Sequence, residues 1–446
     1  MQGGVATGGL VYVTASMDSK DARDFLLDLF QAAVAAAHPD YCLPPALPPA
    51  PEQGRIVVLA AGKAAGSMAE AAERHYLDKL KLAPERIGGI AVTRHGYGRP
   101  LRRIEMIEAG HPVPDEAGIA AAARTLALAD AAGADDLVLV LMSGGASANW
   151  VAPAHGVSFE DKRTLTRALL ASGATIGEFN AVRKHLSGIK GGRLAERAAP
   201  ARLVALAISD VPGDDPSVIG SGPTVPDNTT LADARAVLER RNIIAPASVA
   251  AALNDAKNES PKPGDAAFAG NEFKIVARPA DALEAAAEVA RTAGIEPLLL
   301  GADLEGEARE VAADHARRAL ALAREGRRAV LLSGGELTVI IRGKGRGGPN
   351  QEYALAAAIA LAGARGISVL AADTDGTDGG AGSPDDPAGA FADPTTLGRA
   401  RALGLDPARF LAENDSGAFF ARLGDLLQTG PTYTNVNDFR AVLVDT

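Results

Sequence analysis

Lys63 directly follows Gly62 where an apolar run over 56–60 gives way to a helical pattern beginning near 64. A cation beside a helix N-terminus is placed to meet an anion. Two other apolar runs, 137–142 and 329–332, end in the same three residues, Ser143-Gly144-Gly145 and Ser333-Gly334-Gly335. Glycine tolerates positive φ, so the chain turns sharply there. The turn leaves bare N–H groups at the strand's carboxyl end, where ligands of open α/β sheets bind. One such turn in each half of the chain predicts two lobes with facing glycine loops; ordinary strand-to-helix turns would look the same.

The segment 180–193 begins at Asn180 and carries Arg183, Lys184, His185, Lys190 and Arg193 together with Gly191 and Gly192. In an acidic chain such a cluster suits an oxyanion, the plain alternative being a solvated basic helix. Asp210 follows the apolar run 203–208, and Asp373, Asp375 and Asp378 follow the run 367–371. Hard carboxylate oxygens at strand ends suit Mg2+ or Ca2+, although helix capping is the commoner use of a lone aspartate. Together these groups supply what phosphoryl transfer from a nucleoside triphosphate needs: backbone donors, cations and acidic metal ligands. The absence of G-x-x-x-x-G-K-[ST] excludes a P-loop, and the absence of G-x-S-x-G counts against a serine hydrolase.

A competing motif is Gly343-Lys344-Gly345-Arg346-Gly347-Gly348, which formally satisfies the G-x-G-x-x-G dinucleotide fingerprint, with Asp373 ending the next strand. Lys344 and Arg346 occupy a turn that should be bare backbone, and the helix start Pro349-Asn350-Gln351-Glu352 is polar. Both count against a nicotinamide site. His95 and His111 lie in glycine- or proline-marked loops and are candidates to line a cleft; the histidines as a set show no metal-ligand spacing.

These groups must be carried by a chain of 446 residues, too long for one core, so two domains are the default. The net charge of −10 argues against nucleic acid or an anionic membrane as partner. The single cysteine, Cys42, excludes an intrachain disulfide and a cysteine-based metal site. Neither a membrane-length apolar stretch nor a secretory leader is evident, so a cytoplasmic protein is expected. Residues 1–16 are expected to form a disordered extension. Strand patterns alternate with alanine-rich helical ones, which predicts an α/β fold with parallel strands and helices on both faces. The polar stretch 254–265 places the domain boundary, giving domains over 17–258 and 266–446. The second would open with a strand at 274–277 and continue with strands at 297–300, 329–332, 337–342 and 367–371.

Read together, several segments resemble the type II glycerate 2-kinase family. They are Leu59-Ala60-Ala61-Gly62-Lys63-Ala64, Glu108-Ala109-Gly110-His111-Pro112-Val113-Pro114-Asp115, Met142-Ser143-Gly144-Gly145-Ala146-Ser147 and Ser209-Asp210-Val211-Pro212-Gly213-Asp214. Ser333-Gly334-Gly335-Glu336, Gly347-Gly348-Pro349-Asn350-Gln351-Glu352 and Asp373-Thr374-Asp375-Gly376-Thr377-Asp378-Gly379 complete the set, in the family's order. The resemblance implies two three-layer α/β/α domains, an N-terminal Rossmann-like parallel sheet and a C-terminal mixed-sheet MOFRL-type domain, with the active site in the cleft between them. It implies ATP- and Mg2+-dependent phosphorylation of D-glycerate on its 2-hydroxyl.

The family's essential lysine falls on Lys63 and its essential arginine on Arg346. Many members have Arg-Asn-Gln-Glu where this chain has Pro349-Asn350-Gln351-Glu352, which leaves Arg346 as the loop's arginine. Substrate and nucleotide contacts are expected from Ser143, Gly144, Gly145, Ser147, Asn180, Arg183, Lys190, Gly191 and Gly192. In the second half they are expected from Ser333, Gly334, Gly335, Glu336, Asn350, Gln351 and Glu352. Asp210, Asp373, Asp375 and Asp378 would place Mg2+. The partners are then glycerate and ATP, with neither nucleic acid nor membrane, and a homodimer is left open. The alternative functions are an NAD(P)H-dependent hydroxypyruvate reductase, a label some members carry, and a non-catalytic ligand-binding relative.

Overall fold

Residues 17–380 and 382–445 are described by the computed structural model; the expected extension over 1–16 lies outside them. The first sheet contains β1 (Ile56–Ala61), β2 (Ile87–Arg94), β3 (Ile104–Ala109), β4 (Leu137–Met142), β5 (Arg202–Ile208) and β6 (Glu272–Ala277). Its order is β3-β2-β1-β4-β5-β6, with every neighbouring pair parallel. β1 and β4 are buried at every residue, as continuous apolar runs covered on both faces must be. In this order the direction of winding reverses between β1 and β4, so a crevice opens at their carboxyl ends. Gly62-Lys63 and Ser143-Gly144-Gly145 stand at that point.

The second sheet contains β7 (Glu296–Gly301), β8 (Ala329–Ser333), β9 (Ile367–Asp373), β10 (Gly389–Ala392), β11 (Leu426–Leu427) and β12 (Asp438–Val444). Its order is β11-β10-β9-β12-β8-β7. Only β7 and β8 run parallel; every other neighbouring pair is antiparallel. The chain's last strand, β12, is inserted between β8 and β9. β8 therefore has a partner on both sides, and the expected strand at 337–342 cannot pair with it. Among those residues only Thr338 forms a bridge, to Glu307.

The expected domain boundary needs correction. β6 is a strand of the first sheet, and the polar stretch before it stays in that lobe: Glu259 and Ser260 bond His185, and Ser260 also bonds Asp227. Conversely, helix Ser19–Ala37, capped by the Asp18 side chain, belongs with the second lobe. Its Phe30 packs edge-on against Phe439 of β12 at 5.9 Å, and Thr434 Oγ1 donates to the Ala37 carbonyl at 2.7 Å. One apolar core includes Leu29, Ile56, Leu206, Leu332 and Phe439, so the two sheets are packed together rather than tethered. Among the described residues no helix is long and apolar enough to cross a membrane.

Candidate active site

The turns after β1 and β4 are built against each other. Gly62 has φ +118°, and a side chain there would strike the Ser143 carbonyl oxygen at 2.5 Å. Ser143 Oγ accepts the Ala64 N–H at 2.9 Å, and Lys63 N–H donates to the Gly144 carbonyl at 2.8 Å. The two turns thus project Lys63 across the crevice. Gly144 is required because a Cβ would lie 1.8 Å from Asp210 Oδ2, and Gly145 because one would lie 2.9 Å from the His111 ring. So Lys63, Asp210 and His111 converge on one spot from three strand ends.

The second lobe completes this group. Asp375, just past β9, meets Lys63 Nζ at 2.8 Å, and Arg94 from the end of β2 stands 3.5 Å from the same carboxylate oxygen. Arg94 also donates to Thr377 Oγ1 at 3.0 Å. Asn435 Nδ2 bonds Asp210 Oδ2 at 2.7 Å, and Asn437 Nδ2 bonds the Asp210 carbonyl at 2.6 Å. Burial works against the Lys63 ammonium, but Asp375, Asp373 and Asp210 outweigh it and raise its affinity for the proton. Burial pushes the Asp375 carboxyl up, yet Lys63 and Arg94 more than offset this and hold it low. Asp373 is raised, first by burial and then by Asp375. Asp210 is raised by burial, against the pull of Lys63. His111 is lowered to about 4 by burial and by the nearby Lys63 and Arg94, so its imidazole is neutral at physiological pH.

Other expected site residues are placed differently. Asp378 accepts the backbone N–H groups of Asn350 and Gln351, at 3.0 and 2.8 Å, and both of their side-chain amides. It caps helix Pro349–Leu361 and is not free to bind a metal. Asn350 also bonds Asp438, and buried Glu352 is held by Arg309 at 2.6 Å and by Asn414. These three residues organise the second lobe internally. The Gly191 and Gly192 N–H groups are taken by the Ser221 and Gly222 carbonyls, so they are not free phosphate donors. The Ser333-Gly334-Gly335 turn is likewise structural. Arg440 donates to Ser333 Oγ and the Gly334 carbonyl, and Gly334 N–H donates to Gly301. Glu336 is exposed just beyond it, within electrostatic reach of Asp210, Asp438 and Lys63.

The 343–348 loop is not a dinucleotide cradle. A Cβ at Gly343, Gly345 or Gly347 would strike Glu413, Asp415 or Ser416, and one at Gly348 would strike Asp378. Those glycines permit close backbone packing on the 413–417 turn. Arg346 is exposed, forms no ion pair with a described residue, and lines a cavity of about 650 Å³ that Asp378 also borders. The structure does not bring it into the Lys63 group. In the first lobe, Ser147 Oγ bonds Ser221 Oγ at 2.9 Å, while its carbonyl accepts from Lys190 at 2.9 Å and from Arg183 at 3.4 Å. Asn180 is buried on the same helix as Arg183, its amide nitrogen without a partner among the described residues.

Arg94, Asn435 and Asn437 were not singled out from the sequence, and no local motif marks them. His111 carried a signal, its glycine–proline loop, but nothing in that loop says that it faces Lys63.

Residues 25–254 match the family model described as a domain of unknown function, DUF4147, and residues 329–438 match the MOFRL family. The chain is 50% identical, over 95% of its length and 94% of the relative's, to an Agrobacterium vitis protein provisionally named a hydroxypyruvate reductase. It is 40% identical to the D-glycerate 2-kinase of Thermotoga maritima, over 94% of this chain and 98% of that one. The crystal structure of a Thermotoga maritima glycerate kinase superposes with a TM-score of 0.83 at 39% identity, covering 95% of this chain and all of that one. With both domain models matched in order and near-complete coverage by a glycerate kinase in sequence and in structure, the chain belongs to the glycerate 2-kinase family.

Proposed function

We propose that this chain is an ATP-dependent glycerate 2-kinase, transferring the γ-phosphoryl group to the 2-hydroxyl of D-glycerate to give 2-phosphoglycerate. The observation that carries the reading is the Lys63–Asp375 pair, 2.8 Å across the junction of the lobes at the switch point of the first sheet. A charged lysine held there by acids is ready to exchange a carboxylate for a transferring phosphoryl oxygen. Phosphoryl transfer relies on such positioning and charge stabilisation more than on covalent chemistry. Arg94 adds a second cation beside it. The neutral His111 ring makes no hydrogen bond to a described residue and is placed to accept a hydrogen bond from the acceptor hydroxyl, although burial, Lys63 and Arg94 oppose its taking the proton outright. Arg346 would act from the other lobe, its guanidinium forming no ion pair with a described residue.

Magnesium fits the donor set. Asp375 is matched by Lys63 and Asp438 by Arg440, whereas Asp210 and Asp373 form no ion pair with a described residue and share the field of Lys63. Those two would hold it. No group of three or more acidic, histidine or cysteine side chains is preassembled among the described residues. Phosphates and water would therefore fill the rest of the shell, as is usual for Mg2+. When bound, the ion neutralises charge on the phosphate oxygens. A cytoplasmic setting, where ATP is at hand, belongs to the same reading.

The test is direct. Purified protein with MgATP and D-glycerate should form 2-phosphoglycerate that enolase consumes without added mutase. Hydroxypyruvate with NADH or NADPH should give no turnover; oxidation of the nicotinamide faster than any phosphorylation would reverse the assignment.

A further inference from the structure

A second cavity, of about 360 Å³, lies wholly within the first lobe, and buried cations without acids stand in its wall. Lys190 is 2% exposed, and among the described residues its ammonium donates only to the Ser147 and Trp150 carbonyls, at 2.9 and 3.1 Å. Lys162 is 9% exposed, and among the described residues its ammonium donates only to the Leu186 carbonyl, at 2.6 Å. Arg183 reaches the Ser147 carbonyl at 3.4 Å. None of the three forms an ion pair with a described residue, although neighbouring Lys184 is paired with Asp227 at 3.2 Å. Trp150, in the same wall, is 1% exposed and its indole N–H has no acceptor among the described residues.

Carbonyl dipoles alone are poor compensation for buried charge, and an orphaned buried donor costs free energy. Burial, with Arg183 and Arg193 nearby, pushes Lys162 down to about 7, and burial with Arg183 and Lys162 pushes Lys190 well below its ordinary value. An anion in the cavity would relieve every one of these. The rest of the wall sets Phe159, Leu170 and Phe179 beside the more exposed Arg163 and Arg167. That surface and volume exceed what a three-carbon acid can cover, but suit a base and sugar. The larger cavity beside Arg346 has acidic side chains in its wall and no lysine among the described residues. Ser147 and Pro112 border the cationic cavity; His111, next to Pro112, and Gly145, two residues before Ser147, lie against Lys63 or each other. A tail leaving the cavity on that side arrives at Lys63.

We propose that this cavity is the nucleotide site, with the base against Phe159, Phe179 and Trp150 and the phosphate tail on Lys162, Arg183 and Lys190. Lys162 is thereby a binding residue, and Arg183 and Lys190 serve the nucleotide rather than the glycerate carboxylate. The assignment rests on the kinase reading.

Trp150 is the chain's one tryptophan, so its emission reports on the cavity directly. Titrating ADP into the full-length protein should change that emission saturably, and D-glycerate alone should leave it unchanged. Lys162→Gln should weaken ADP binding about tenfold or more, the loss expected for one charged hydrogen-bond donor. Leu170→Glu, at an exposed position on the cavity rim, should weaken it too without touching the core. The proposal is overturned if ADP binds by calorimetry without moving Trp150 emission, if both variants bind ADP like the parent, or if glycerate alone moves the emission. Failure of the kinase reading looks different: no 2-phosphoglycerate forms, while the ADP titration still reads the cavity.

Discussion

Lys63 and Asp375 form an ion pair of 2.8 Å between the carboxyl end of β1 in one lobe and the loop after β9 in the other. The pair places a cation at the transfer point and, at the same time, fastens the lobes together. Lys63 is the principal counter-charge for Asp210, Asp373 and Asp375.

Removing Lys63 should therefore do two things. Lys63→Ala should lower kcat by about 10²-fold or more, the scale of losing one donor to a developing oxyanion. It should also destabilise the protein by roughly 3–5 kcal/mol, because it leaves buried carboxylates uncompensated. A lysine merely facing solvent would leave stability unchanged. Lys63→Met combined with Asp375→Asn should recover melting temperature without recovering turnover. Melting curves and steady-state rates on the three proteins separate the two effects.

Arg346→Ala should behave oppositely. Its guanidinium is exposed and forms no ion pair with a described residue, so the unfolding midpoint should not move, whereas kcat should fall by about 10²-fold. An unchanged kcat would remove Arg346 from the reaction.

The aspartates divide by their surroundings. Asp210→Asn should raise the magnesium concentration needed for half-maximal rate, because an amide is a weaker ligand than a carboxylate for a hard cation. Asp378→Asn should leave that requirement alone and lower stability by about 1–2 kcal/mol, since Asp378 caps helix Pro349–Leu361. A magnesium titration of both variants beside their melting curves checks the division, and identical titrations would place Asp210 outside any metal site.

The sequence carried the first lobe further than the second, for a physical reason. β1, β4 and β5 are apolar runs ending in glycine turns or aspartate, and in a parallel sheet such ends are where a ligand crevice forms. Lys63, Asp210 and the Ser143–Gly145 turn were legible from that alone. The second sheet is organised by β12, which arrives from the chain's end and pairs with both β8 and β9. No local pattern reports that insertion. Hence the strand expected at 337–342 is absent, and the second Ser-Gly-Gly turn, which looks like the first, is filled from beneath by Arg440. Asp378 and Asp375 are close neighbours in one polar run, yet one caps a helix and the other meets Lys63; only the tertiary partner distinguishes them. Lys162 gave no signal because its meaning lies in the absence of an acid around it.

The buried lysines make stability depend on pH in a direction that can be signed in advance. Lys162 titrates at about 7 in the folded protein against 10.5 for a free side chain. Arg183, Arg193 and Lys190 are the charged groups acting on it, and all disfavour its proton. Between those two values the unfolded chain binds a proton that the folded chain does not, so stability rises as pH is raised through this window. Below pH 7 both states are protonated and the dependence vanishes. Lys190, lowered in the same direction, adds to the slope. Melting temperatures of the ligand-free protein at pH 7, 8 and 9 should therefore climb more steeply in the parent than in Lys162→Met, which cannot take up the proton in either state. Saturating ADP should flatten the parent's slope as well, because phosphate oxygens restore the ammonium. Parallel slopes for parent and variant, with and without ADP, would mean that Lys162 keeps its proton in the folded state.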